Sequence, residues 1–264
     1  MKSRVFRGAA PAILSLAVAL PAFGQSVLLR LNPDEGLESR YVTHMVTNMD
    51  SPMMSSDKPF MVVTAYTTQT VIGVEGEVIE YSILTDSTDV SSPAMPMIAQ
   101  QVPDQTGDVQ TLKMDTRGRM VDLTVEGASP EVQQALGQLG GLGLQLPEEP
   151  VSSGDSWTAN IETGAPSLPG GGAMDMEMNM TYTLVEVASA GGSQFATITF
   201  EGPVVMSAAG GGMGMDASGT SSGTLVFDVT LGRIASSDFE MAMDVNTAGM
   251  QMSMTQSMTM TLIN

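Results

Sequence analysis

Met250-Gln251-Met252-Ser253-Met254-Thr255-Gln256-Ser257-Met258-Thr259-Met260-Thr261-Leu262 decides the fold. Every second residue is apolar, with Gln256 the single interruption, and those between are Gln, Ser or Thr. A period of two is the mark of a β-strand, whose successive side chains point to opposite sides of its sheet. One face of such a strand is dry and the other wet, as in antiparallel sheets that cover a core on one side. The same pattern recurs earlier, where Met174, Met176, Met178, Met180, Tyr182 and Leu184 alternate with Asp175, Glu177, Asn179, Thr181 and Thr183. Both runs exceed the roughly 5–6 residues of an ordinary strand, so strong twist or curvature is expected.

Weaker versions of the pattern predict strands over 36–47, 61–73, 76–87, 110–116, 120–126, 192–202, 219–229 and 233–245. Turn signals such as Gly191-Gly192 and Leu231-Gly232 separate them. Gly/Ser/Ala-rich stretches at 164–173 and 208–223 read as flexible hairpin loops. One helix is expected. Ser129-Pro130-Glu131 supplies an N-cap, a first-turn proline and an acidic first turn, and Val132, Ala135, Leu136 and Leu139 form an apolar stripe ended by Gly140-Gly141.

Two stretches look alike across that helix. Thr111-Leu112-Lys113-Met114-Asp115 is followed by Gly118-Arg119, and Thr224-Leu225-Val226-Phe227-Asp228 by Gly232-Arg233. They indicate a loose internal duplication of roughly 100 residues. The shared Asp…Gly-Arg reads most simply as a hairpin turn with a charged flank; the alternative places Arg119 and Arg233 in a common cleft. The expected architecture is mainly β: a curved antiparallel sheet of half-barrel type, built from two related halves with one short helix between them. Its parts are a signal segment (1–24), a first β half (25–128), a helix and connector (129–150) and a second β half (151–264).

Lys2, Arg4 and Arg7 precede an apolar run from Ala9 to Leu20, and Ala22 and Gly24 are small residues before Gln25. This is the layout of a cleavable export signal, with cleavage expected between Gly24 and Gln25. The run is shorter than the roughly 20 residues a membrane-spanning helix needs, which argues against the rival reading of an anchor. No cysteine follows the cleavage site, so lipid attachment there is ruled out. Export implies the periplasm or the extracellular medium.

Beyond Gln25 the chain keeps seven of its ten basic residues against 29 acids, a net charge near 7 − 29 = −22. Such a chain repels phosphate backbones, which excludes nucleic acid as a natural partner, and anionic membrane surfaces are unfavourable for the same reason. The charge serves solubility. With no cysteine there is no disulfide, thiolate metal site or thiol nucleophile. His44 is the sole histidine, lies in a predicted strand and has no nucleophile motif around it, so neither a Ser-His-Asp triad nor a zinc site is supported. The glycine runs lack the strand-to-helix setting and the Lys-Ser or Lys-Thr of a phosphate loop. No catalytic residue and no cofactor is expected; the protein reads as a non-enzyme.

Methionine is the unusual feature, with 24 in the chain. Met is flexible and polarizable, suited to irregular cores and adaptable binding surfaces. An oxidising compartment converts exposed thioethers to sulfoxides, which favours burial. The Met faces therefore read as packed core, or as the wall of a cavity for an apolar or lipid-like molecule lined by Met178, Met180, Met252 and Met254. Soft thioethers also suit Cu(I), a second ligand reading. A structural, envelope-associated protein with a filled interior is the third.

Leu146-Pro147-Glu148-Glu149-Pro150-Val151, then Gly154-Asp155-Ser156-Trp157, resembles a family of exported bacterial β proteins of unknown function. In that family a Gly-Asp-x-Trp stretch opens the second of two related halves; Met180 to Leu184 and Asp228…Gly232-Arg233 fit the same pattern. The resemblance brings no catalytic residues. At the level of fold alone, a curved antiparallel sheet with a covering helix is similar to periplasmic half-barrel lipoprotein carriers. One expectation is directly measurable: the intact mass of the protein from an exporting host will correspond to a chain beginning at Gln25, and a full-length mass would overturn the cleavage reading.

Overall fold

The computed structural model describes residues 26–51, 57–100, 102, 104–125, 144–163, 167–168, 172–209, 215–247 and 250–263. The predicted signal segment and the predicted helix at 129–139 lie outside the described residues. The described chain is mainly β: β1 (Glu38–Asp50), β2 (Met61–Glu75), β3 (Val78–Ser91), α1 (Pro96–Ala99), β4 (Val109–Asp115), β5 (Met120–Val125), β6 (Ser156–Thr163), β7 (Ser167–Leu168), β8 (Gly172–Ala190), β9 (Ser193–Ala209), β10 (Met215–Asp228), β11 (Arg233–Thr247) and β12 (Met250–Leu262). The strands form one open antiparallel sheet in the order β5-β4-β3-β2-β1-β12-β11-β10-β9-β8-β6, with β7 attached to β8.

The first and last long strands meet in the middle. β1 pairs with β12 from Tyr41↔Leu262 to Asp50↔Ser253. That register sets Met45 opposite Met258 and Met49 opposite Met254, while Phe239 and Met243 of β11 face Met258 and Met254 from the other side. The inner face continues outward through Ser221, Leu225 and Phe227 of β10, Ile198 and Val204 of β9, and Met176 to Leu184 of β8. Its buried members include Ile79, Tyr81, Met178, Met180, Tyr182, Leu184, Ile198, Val204, Leu225 and Phe227. Asp238, Glu240, Asp244, Ser253, Thr255 and Ser257 lie on the exposed outer face.

Curvature follows from what shares a cavity. Neighbouring strands lie about 4.8 Å apart, so β4 and β11, five steps apart in the order, would be roughly 24 Å apart in a flat sheet. Yet Leu112 of β4 and Ile234 of β11 line one cavity of about 250 Å³. The sheet must bend around its Met-bearing face.

Two irregular segments close one end of the concave side. Residues 26–34 and 144–151 join through the Val27–Val151 bridge, whose amides donate at 2.8 and 2.9 Å. Leu31 N donates to Thr116 O and Leu146 N to Arg117 O, each at 2.8 Å, which ties both segments to the β4–β5 turn. The Arg30 guanidinium donates to the carbonyls of Leu29, Pro147 and Glu148. Leu29 and Leu146 are completely buried beneath.

Among the described residues the helix is α1, a single turn in the β3–β4 connection. Two expectations need correction. The stretch expected as a loop at 208–223 is strand from Met215 onward. There Gly219 and Gly223 bear on the inner face, where a side chain would not fit: a Cβ at Gly223 would collide with the Phe200 ring. Its absence lets Phe200 of β9 and Phe239 of β11 stack across β10 with ring centroids 6.2 Å apart. Likewise, within the stretch expected as a loop at 164–173, Ser167–Leu168 forms β7 and β8 begins at Gly172. Trp157, packed against the core, starts an aromatic row. It stacks on Tyr182 at 5.6 Å, Tyr182 meets Phe200 at 5.9 Å, and Phe200 meets Phe239.

Gly223→Ala is therefore expected to destabilise the protein by about 1–3 kcal/mol, the usual cost of overpacking. Urea unfolding measures this as a lower midpoint at unchanged slope. Ser222→Ala, on the exposed outer face, is the control and should move the midpoint little.

Candidate functional site

Two adjacent cavities lie against the concave face. The larger, about 250 Å³, is walled by Leu31, Leu37, Val71, Tyr81, Ile83 and Leu112, with Ser39, Tyr41, Thr67, Gln69 and Arg233 as its polar members. The smaller, about 150 Å³, is walled by Ile161, Met178, Met180, Tyr182, Phe200, Phe239 and Met258 and includes Ser221 and Ser237. Leu144, Ile234 and Met260 line both and stand between them. The two irregular segments 26–34 and 144–151, together the plug, supply Leu31 and Leu144, so the cavities exist because the plug closes over the sheet.

The four methionines singled out in the sequence separate into three settings. Met178 and Met180 are 2% and 3% exposed and line the smaller cavity. Met252 lines an open groove of about 840 Å³ at the far ends of β9 to β12, among Asp50, Asp216 and Asp244. Met254 is partly buried against the core and lines neither cavity. Met258 and Met260 take the places assigned to Met252 and Met254. All share one strand face, so the period of two does not distinguish them; the distance along β12 to the plug does.

Two thioethers already accept hydrogen bonds inside the sheet. Ser221 Oγ donates to Met180 Sδ at 3.3 Å and Gln256 Nε2 to Met45 Sδ at 2.7 Å. The second contact accounts for Gln256, the one polar residue on the inner face of β12: its amide is turned in toward a soft acceptor on β1.

The paired Asp…Gly-Arg stretches both form hairpin turns, with Gly118 at φ 84° and Gly232 at φ 59°. Their arginines do not share a cleft. Asp115 Oδ2 accepts from Arg119 Nε at 2.6 Å in a half-exposed ion pair. Asp228 Oδ1 instead accepts the amides of Thr230 and Leu231, each at 3.0 Å, and Arg233 turns to the larger cavity, where it donates to Ser39 Oγ at 2.7 Å. His44 is exposed on β1 and shares a 3.1 Å hydrogen bond with Thr64 Oγ1. Among the described residues no group of three or more His, Asp or Glu could hold a metal ion. No helix among them is long and apolar enough to cross a membrane.

Three tyrosines of the interior are shifted by their surroundings. Burial raises the phenol pKa of Tyr41 and Tyr81 above the ordinary value and pushes that of Tyr182 up to about 12. Tyr41 Oη still donates to Ile234 O at 3.0 Å, and Trp157 Nε1, stacked beside Tyr182, donates to Gln145 O at 2.7 Å. The second bond fastens the plug to the aromatic row.

A model of a family of unknown function (DUF6263) matches residues 144–234. The matched stretch runs from Leu144 in the plug, through the aromatic row as far as Phe200, to Arg233 and Ile234. No match is found among curated proteins.

The tyrosine shifts carry a pH dependence. An unfolded tyrosine ionises near 10, whereas Tyr182 holds its proton in the fold to about 12. Between these values the folded state binds more protons, so stability is undiminished below the first, falls as pH rises through the window and levels above it. Tyr182 alone accounts for a loss of about 3 kcal/mol. Denaturant unfolding across that range should show the decline, and Tyr182→Phe should flatten part of it.

Proposed function

We propose that the chain is an exported, non-enzymatic protein of the periplasm or extracellular medium that takes an apolar or lipid-like molecule into its Met-rich interior. One observation carries the reading: two apolar cavities sit side by side under the plug, divided by the side chains of Leu144, Ile234 and Met260. Small-molecule sites occupy roughly 300–1,000 Å³. Neither cavity reaches that size alone, but joined they do. Met260 is the natural gate, because an unbranched thioether has three rotatable bonds and swings aside at low cost. The open antiparallel sheet and its closed end also fit the fold-level analogy with half-barrel carriers.

The test uses the mature protein recovered from the exported fraction. Native mass spectrometry and organic extraction are expected to find a co-purified apolar molecule, and the emptied protein is expected to take up a fluorescent acyl-chain probe. Met260→Trp, which fills the junction, should weaken uptake roughly ten-fold or more, a loss of about 1.4 kcal/mol or greater. A bare mass together with no uptake by folded protein would mean a filled interior and end the carrier reading.

A further inference from the structure

We infer that the larger cavity is a site for the anionic head of a single-chain amphiphile, held by Arg233, with the acyl chain running past Met260 into the smaller cavity. The inference rests on the carrier reading and adds a head group to it.

Arg233 stands apart among the basic residues. Arg40 pairs with Asp86, Lys113 with Glu80, Arg117 with Glu148 and Arg119 with Asp115. Arg30 spends its guanidinium on three backbone carbonyls. Arg233 has no acidic partner among the described residues, in a chain with 29 acids. Its Nε is buried without any hydrogen-bond partner, and its Nη1 donates to the neutral Ser39 hydroxyl. A buried donor left unsatisfied, on a group that stays charged, is costly to the fold. The cost is offset when an anion completes the set.

The surroundings fit an anion at one end and a hydrocarbon at the other. Ser39, Tyr41, Thr67 and Gln69 join Arg233 as polar members of the cavity wall, and no Asp or Glu lines it. Arginine presents a planar fork that matches carboxylate and phosphate oxygens, and a hydrogen bond between opposite charges is among the stronger ones. The rest of the wall, Leu31, Val71, Tyr81, Ile83, Leu112 and Met114, is apolar. Ile234, adjacent to Arg233 in sequence, and Met260 lead from this cavity to the smaller one, which has no charged residue in its lining. Head and tail of an amphiphile thus meet a charged pole and an apolar extension in line.

The shared chemistry is a single acyl chain ending in an anion, and either a fatty acid or a lysophospholipid supplies it. The experiment titrates the delipidated full mature protein with palmitate, palmitoyl lysophosphatidate and the uncharged cetyl alcohol. Wild type should bind at least one anion roughly ten-fold or more tightly than the alcohol, and the stronger of the two identifies carboxylate or phosphate as the head. Arg233→Met should erase that preference while leaving alcohol binding unchanged, and Arg233→Lys, which keeps the charge but loses the fork, should restore part of it. If the alcohol binds as well as both anions in wild type, the anion site is overturned while the carrier reading stands. Equal weakening of all three ligands by Arg233→Met would overturn the anion site in the same way. If none of the three binds, the carrier reading falls with it. The wild-type comparison decides the matter even where a variant fails to fold.

Discussion

The ladder between β1 and β12 is the contact on which the rest of the structure depends. It joins strands from opposite ends of the described chain, from Tyr41↔Leu262 to Asp50↔Ser253. Without it the chain would form two smaller sheets, each with a long unpaired edge, that of β12 carrying alternate methionines, and such edges invite association. With it the Met faces of β12 and β1 become the floor of one continuous concavity. The register is fixed by chemistry as much as by hydrogen bonds. A slip of one residue would turn Met258 and Met260 outward and bring Ser257 and Thr259 onto the inner face. Because the partners are so far apart in sequence, this pairing carries the largest loop-closure cost in the fold, and the hairpins on either side are the local structures that offset it.

The plug answers the problem the open sheet leaves. Among the described residues the curved sheet ends at β5 and β6 and covers only one side of its apolar face. Residues 26–34 and 144–151 supply the missing cover at one end. They hold it by backbone hydrogen bonds to the β4–β5 turn and by Arg30, which gathers carbonyls from both segments. The two turns accept the plug closely. A Cβ at Gly118 would stand 2.5 Å from Leu144 O, and one at Gly232 would collide with the backbone of Asn32. Both glycines also lie at positive φ, so each satisfies two demands that no other residue meets together. The cavities are the space left where this cover stops short of the aromatic row.

Much of the fold was legible because period-two alternation depends only on the chain's own geometry. The bounds of β12 follow from its Met pattern alone, and the Asp…Gly-Arg stretches are turns, as their composition implies. What was illegible depends on partners. β10 begins within a Gly/Ser/Ala stretch that reads as loop, because its small residues are chosen to fit Phe200 and Phe239 from neighbouring strands. β6 alternates through Trp157, Ala159 and Ile161, three positions of which Ala gives little signal. α1 is one turn long and has no room for a helical period. The choice of cavity residues was illegible for the same reason. Met252, Met254, Met258 and Met260 are equivalent in sequence, and only the position of the plug divides a groove near strand ends from an enclosed space.

The two arginine turns show how far a motif can mislead when its spacing is ignored. Three residues separate Asp115 from Arg119, and four separate Asp228 from Arg233. In the shorter turn the carboxylate takes the amides of Arg117 and Arg119 and still reaches the Arg119 guanidinium. In the longer one the carboxylate likewise takes two amides, those of Thr230 and Leu231. Arg233, one residue further from its aspartate than Arg119 is, reaches to Ser39 on β1 instead. One turn thus consumes its charge locally and the other delivers it to the interior. The charge matters there because no other charged residue lines that cavity: a guanidinium that would be solvated on the acidic outer face becomes the dominant local field inside the larger cavity. Whatever enters beside Arg233 is selected first by charge, and only then by how well its remainder fits the methionines beyond.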